Sequence, residues 1–246
     1  MDYLEEIDIF GISGTGYDTS TGIFSPDGRI FAAEYAKKAV EQGETAIGVL
    51  VDEGVVLLAR KKTLPLHEPD SIEKISRIDD HVGVATSGFM ADARRLIADA
   101  RVKAQSYWLT FEEQVPAEAL ADYICDVKAQ FTQGGGARPY GVAMIIGSVD
   151  HDGSPKLYVT DPVGTYWGFL AAVIGRGNVA VGEYLEKHYK KKMKLADAMT
   201  LALDALRQSR DAELTEDSIE IARVPVSTSK FHKLSRSEIR EILSPA

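Results

Sequence analysis

From Thr45 to Ala59 nearly every residue is apolar or small, and the only clear break is Asp52-Glu53-Gly54. This predicts two strands, Thr45–Val51 and Val55–Ala59, joined as a hairpin and covered on both faces. The run Leu57-Leu58-Ala59 then passes into Arg60-Lys61-Lys62, where the chain is expected to turn outward. A second strand pair is predicted at Glu73–Ile78 and His81–Ser87, joined at Asp79-Asp80. Period three-to-four spacing then takes over. Ala93, Leu96, Ile97, Ala100, Ala104 and Tyr107 make one helical stripe within Ala91–Tyr107. Leu120, Ala121, Ile124, Val127 and Phe131 make another within Pro116–Gln133. Pro116 suits the first turn, and Gly134-Gly135-Gly136 ends the helix.

Strands are predicted again at Tyr140–Asp150, Lys156–Thr160 and Thr165–Val173, with His151-Asp152-Gly153 as a hairpin turn. Helices follow at Val179–Lys191 and Leu195–Ser209, then a strand at Ser218–Val226. Ser235-Arg236-Ser237-Glu238 has the form of a capping box and opens a last helix, Arg236–Leu243. Blocks of strands separated by helix pairs argue for α+β layering. Two strand blocks facing each other, with a helix pair outside each, give a four-layer αββα sandwich.

Ahead of the first strand, Ser25-Pro26-Asp27-Gly28 has the residues of a type I turn. Arg29–Val40 is Ala-rich, has no internal Gly or Pro, and stops before Gly43, so a helix is expected there. Residues 1–16 carry Gly11, Gly14 and Gly16 and read as a tail. Their glycine spacing is wrong for a phosphate loop, and the P-loop lysine is missing.

Composition narrows the function. The chain has 246 residues with a formal net charge of −9, so a general nucleic-acid grip is not expected. One cysteine, Cys125, excludes an internal disulfide and sits among apolar neighbours, which favours inert packing. No apolar run reaches membrane-spanning length, and the acidic start has no basic n-region, so the reading points to the cytoplasm and away from a membrane. His67, His81, His151, His188 and His232 are scattered without metal-ligand spacing. Asp79-Asp80-His81 reads as a hydrated turn, and no metal or cofactor is expected. The basic run Lys187–Lys194 reads as a solvated helix end.

Several segments resemble the α subunits of the proteasome, in an archaeal-type sequence. They are FSPDGR with EYA, then Gly43-Glu44-Thr45-Ala46-Ile47-Gly48, Ser71-Ile72-Glu73-Lys74-Ile75, Asp79-Asp80-His81-Val82, Thr86-Ser87-Gly88, Gly135–Val142 and Asp161–Thr165. They fall in the family's order over about residues 17 to 243. The resemblance implies the same αββα sandwich, the N-terminal nucleophile hydrolase fold, as one domain over 1–246. Within it, 1–16 is a gate tail, 17–28 a turn, 29–42 a helix and 43–246 the sandwich. It further implies a seven-membered ring of α subunits stacked on β subunits, with the tail obstructing substrate entry. Tyr17, Asp18, Pro26 and Tyr35 match the family's gate cluster. Lys74, with Gly43 and Phe89, matches the pocket between α subunits that receives C-termini of regulatory ATPases or other activators.

Catalytic β subunits of that family attack with an N-terminal Thr. Here Glu44 stands at that position, Thr45 is internal, Arg60 stands for the Asp, and the Lys position falls near Leu66. No catalytic residue is therefore expected. A free-standing threonine-type hydrolase and a non-proteolytic ring scaffold are the alternatives. Thr19 in place of the usual Arg, and Ala32 in place of a common Gln, depart from the family pattern.

Overall fold

A computed structural model describes residues 22–134, 137–209 and 214–243. Tyr17, Asp18 and the tail lie outside the described residues.

Among the described residues, ten strands form two antiparallel five-stranded sheets. One sheet has the order β10-β9-β2-β1-β8, built from β1 (Ala46–Val51), β2 (Gly54–Arg60), β8 (Ala171–Ile174), β9 (Ile219–Pro225) and β10 (His232–Lys233). The other has the order β3-β4-β5-β6-β7, built from β3 (Ile75–Asp79), β4 (Val82–Gly88), β5 (Val142–Val149), β6 (Pro155–Thr160) and β7 (Tyr166–Gly168). Helices α2 (Met90–Phe111) and α3 (Ala117–Gln133) cover the second sheet. Helices α4 (Asn178–His188), α5 (Leu195–Arg207) and the short α6 (Arg236–Leu243) cover the first. The result is the predicted αββα sandwich.

Period-two alternation sorts the apolar residues of each strand between two cores. Ile47, Val49 and Val51 of β1, with Val56 and Leu58 of β2, face α4 and α5. Ala46, Leu50, Val55, Leu57 and Ala59 face the other sheet. On β5, Val142, Met144 and Ile146 face α2 and α3, while Ala143 and Ile145 point between the sheets. Continuous apolar strands are thus the signature of a sheet buried on both sides. Gly48 permits a close approach of the two layers. A Cβ there would lie 2.6 Å from Ile145 Cγ2 and 2.8 Å from Leu157 Cδ1.

The first helix among the described residues, α1, runs Phe31–Glu41 and buries Ala33, Ala36 and Val40. It lies at one end of β4 and β5. The capping box at α6 forms as expected: Ser235 N donates to Glu238 Oε2 at 2.7 Å, and Glu238 N donates to Ser235 Oγ at 3.4 Å. Bonds to the carboxylate from Ser235 N and Ser235 Oγ, with His232 Nε2 beside it, hold the Glu238 carboxyl down to about 2.

Three expectations are corrected. The single strand Thr165–Val173 is two strands in different sheets. Phe169 N donates to Leu157 O on β6 at 2.9 Å, while Leu50 N on β1 donates to Leu170 O at 2.8 Å. The chain changes sheets between neighbouring residues. The chain also does not turn outward at Arg60-Lys61. β2 continues through Arg60, opposite Ile219, and both cations are buried. His81 is no hydrated turn residue either. It is fully buried, with Nε2 2.8 Å from Val115 O, while Asp79 stays partly exposed at the turn.

Candidate functional site

The turn Ser25–Gly28 closes through Gly28 N to Ser25 O at 2.8 Å, and Ser25 Oγ accepts Arg29 N at 3.1 Å. Gly28 takes a φ of +74, which suits a residue without Cβ. Arg29 then pairs with Glu34 on the first turn of α1 and stacks over Phe31 at 4.9 Å. These contacts fix the entry into the helix. Pro26 is left exposed at the turn, and Tyr35 is about half exposed on the outer face of α1. Phe24 is exposed on the segment leading into the same turn.

At the other end of α1 the chain enters β1 through Gly43-Glu44-Thr45. Gly43 is there because backbone crowds it: a Cβ would lie 2.4 Å from Gly88 N. Arg176 N donates to Gly43 O at 2.8 Å. The Thr45 hydroxyl is buried and donates to Arg176 O at 2.6 Å. Its amide lies in the peptide bond to Glu44. The hydroxyl is thus engaged in structure, and the Thr45 α-nitrogen is tied up in that peptide bond. Glu44 lies between Arg60 and Arg176, each 3.9 Å from a carboxylate oxygen.

Lys74 is the group that departs most from its expected setting. Its side chain reaches into the sandwich end, and the residue is only 6 % exposed. Burial pushes the ammonium down to about 8, against the opposing pull of Glu44 and Glu220. Neither carboxylate bonds it. Glu220 Oε2 accepts the backbone N–H of Lys74 at 2.9 Å and of Ile75 at 2.7 Å. Glu220 Oε1 faces Lys233 at 3.1 Å and Lys61 at 3.7 Å. The amine donates to Met90 Sδ at 3.6 Å, a weak acceptor. The lysine beside Glu44 is therefore Lys74. Leu66 is fully exposed in the loop between β2 and β3, and counting along the chain misplaced this partner.

Phe89 caps the start of α2 and is half exposed, with the Arg138 guanidinium 5.6 Å from its ring. Gly43 packs on Gly88, Phe89 follows, and Met90 touches Lys74. One short ridge thus carries all three residues assigned to the pocket. Beneath it, Asp92 receives both Arg138 nitrogens at 2.7 and 2.8 Å and Gly141 N at 2.8 Å. Burial opposes ionisation of Asp92, but those bonds prevail and hold its carboxyl below the usual range.

Two residues that sequence reasoning missed are Glu220 and Lys128. Glu220 is a carboxylate inside an apolar strand. Lys128 is fully buried on the Leu120-Ile124 face of α3. It donates to Val142 O at 3.0 Å, Thr160 Oγ1 at 2.8 Å and Asp161 O at 3.0 Å. Burial brings its ammonium down to about 8. Cys125 is buried, and its thiol is pushed up to about 12, so it is a poor nucleophile. Among the described residues, no group of three His, Cys, Asp or Glu side chains is placed to hold a metal, and no helix is long and apolar enough to cross a membrane.

The family model for proteasome subunits matches residues 40–224, and the model for the N-terminal signature of A-type proteasome subunits matches residues 17–39. The chain is 45 % identical over 231 residues to the proteasome alpha subunit of Methanothermobacter thermautotrophicus, covering 94 % of this chain and 93 % of that one. It is 46 % identical over 232 residues to that of Archaeoglobus fulgidus, covering 94 % of each. It is 44 % identical over 230 residues to that of Pyrococcus horikoshii, covering 93 % of this chain and 87 % of that one.

Proposed function

Because this chain belongs to the proteasome subunit family and is of the alpha type, we propose that it is a non-catalytic ring and gate component of a cytoplasmic protein-degrading particle. The observation that carries this reading is the start of β1. A helix precedes it, the Thr45 hydroxyl is spent on Arg176 O at 2.6 Å, and the family resemblance sets Glu44 where a catalytic subunit has its nucleophile. A hydroxyl nucleophile needs an adjacent free base, and the Thr45 nitrogen is instead bound in the peptide bond to Glu44. Peptide cutting therefore falls to partner β subunits.

In this proposal seven copies, or copies mixed with a paralogue, close a head-to-tail ring on a β ring. The exposed Pro26 and Tyr35, held on one turn-helix unit, are the surface that meets a neighbour's Tyr17 and Asp18 and steadies the opening. Residues 1–16 obstruct the axis. The pocket at Lys74, Gly43 and Phe89 takes the C-terminal carboxylate of an activator such as a regulatory ATPase. A buried ammonium whose own acceptor is a thioether has hydrogen-bonding capacity left for an anion. Several tails docking on one ring multiply a weak single contact into strong binding.

Co-expression with a β subunit tests this. Ring-shaped particles containing both chains are expected by negative-stain microscopy, with faster peptide entry once residues 1–16 are deleted. Failure of the β subunit to co-purify would favour a scaffold that assembles alone. Peptide hydrolysis by this chain alone would favour a free-standing hydrolase.

A further inference from the structure

We propose that Met90 is an oxidation site whose sulfoxide captures the Lys74 ammonium and so disables the docking pocket. Its consequence for docking rests on the function proposed above; the Met90–Lys74 contact itself does not. Met90 is half-buried at the first residue of α2, beside the half-exposed Phe89. Its sulfur lies 3.6 Å from Lys74 Nζ and, among the described residues, is the hydrogen-bond acceptor on that amine. A thioether is a poor acceptor, so the ammonium stays poised for a stronger one. The charged groups around it are otherwise engaged. Glu220 is held by two backbone N–H groups and by Lys61 and Lys233, and Glu44 by Arg60 and Arg176.

The step needs a two-electron oxidant of the peroxide class. A sulfur lone pair attacks one oxygen of hydrogen peroxide, the S–O bond forms and the O–O bond breaks. The second oxygen leaves as water, taking the proton of the transferred oxygen. Sulfur loses two electrons and the peroxide gains them. The product oxygen is a strong, polar acceptor on a side chain already directed at Nζ. It competes there with an incoming carboxylate. The other sulfur of the adjoining sheet, Met144, is fully buried against α2 and α3 and is shielded from the same reagent.

The test exposes the assembled particle to hydrogen peroxide and maps sulfoxide by mass spectrometry. Lys74 is then labelled with a trace of acetic anhydride, with and without prior oxidation, in the wild type and in Met90→Leu. Each protein is compared with itself. Met90 is expected to oxidise ahead of Met144. Lys74 labelling is expected to fall about fivefold in the oxidised wild type, the worth of one net hydrogen bond, and to stay unchanged on oxidation of Met90→Leu. Unchanged labelling after full Met90 oxidation, or an equal fall in Met90→Leu, would overturn the proposal. A synthetic peptide with a free C-terminal carboxylate provides the second readout. Weaker peptide binding after oxidation extends the effect to docking. A fall in labelling with no peptide binding to unoxidised protein would keep the Met90–Lys74 contact and discard the docking function instead.

Discussion

At the scale of single residues, the chemistry of this chain is set by where two lysines and a glycine are placed. Lys74 holds its proton weakly because burial disfavours the charged form. Its amine, at about 8, is charged below that pH and neutral above it. A carboxylate is bound by the ammonium and not by the free amine. Binding of a free-carboxylate peptide should therefore be steady up to about pH 8 and weaken above it, by at most about tenfold per pH unit. Lys74→Arg keeps its charge throughout and should flatten the profile; isothermal titration from neutral to alkaline pH reads both. Gly43→Ala sets a methyl 2.4 Å from the backbone nitrogen of Gly88, where no flexible side chain can yield. It should cost about 1–3 kcal/mol by chemical denaturation. Neither role was legible from spacing. Lys74 was recognisable by its motif, yet its closeness to Glu44 depends on the course of the loop between β2 and β3. Lys128 does carry a signal in the sequence. It continues the stripe of Leu120 and Ile124 by one more step of four, where a lysine is out of place unless its head group is satisfied inside.

At the scale of elements, Lys128 ties α3 to β5 and to the end of β6 through three acceptors. Its folded value of about 8 lies below the ordinary 10.5, so between those pH values the unfolded chain binds more protons than the folded one. Stability must then rise with pH across that window. Wild-type stability should climb from pH 8 to 10.5 relative to Lys128→Met, which has no proton there to lose; urea unfolding at several pH values measures the difference. Helices and paired strands were readable because each obeys one period. The crossing from β7 to β8 was not. Tyr166 to Val173 is continuous in apolar character, and only hydrogen-bond partners on different sheets divide it. β10 escaped for a related reason, since two residues beside Arg223 and Ala222 carry no pattern of their own.

At the scale of the whole molecule, two sheets pack face to face under helices, and in the proposed function the segment before β1 decides its use. α1 and its turn precede β1, the strand at which the proposed reading has a catalytic relative begin its chain. The layering was legible because strands buried on both faces look unlike any other strands. The role proposed for Pro26 and Tyr35 rests on family resemblance alone, because both sit on an outer surface that periodicity cannot interpret. Deleting residues 1–16 should raise the rate of peptide hydrolysis by the assembled particle without changing which bonds are cut; product mapping by mass spectrometry separates entry from chemistry. The most direct measurement applies a threonine-directed covalent inhibitor to the particle assembled from this chain and a β subunit, then weighs each polypeptide. The adduct should sit only on the β subunit, leaving this chain at its unmodified mass. An adduct on this chain, at Thr45 or at any newly exposed N-terminus, would contradict the account.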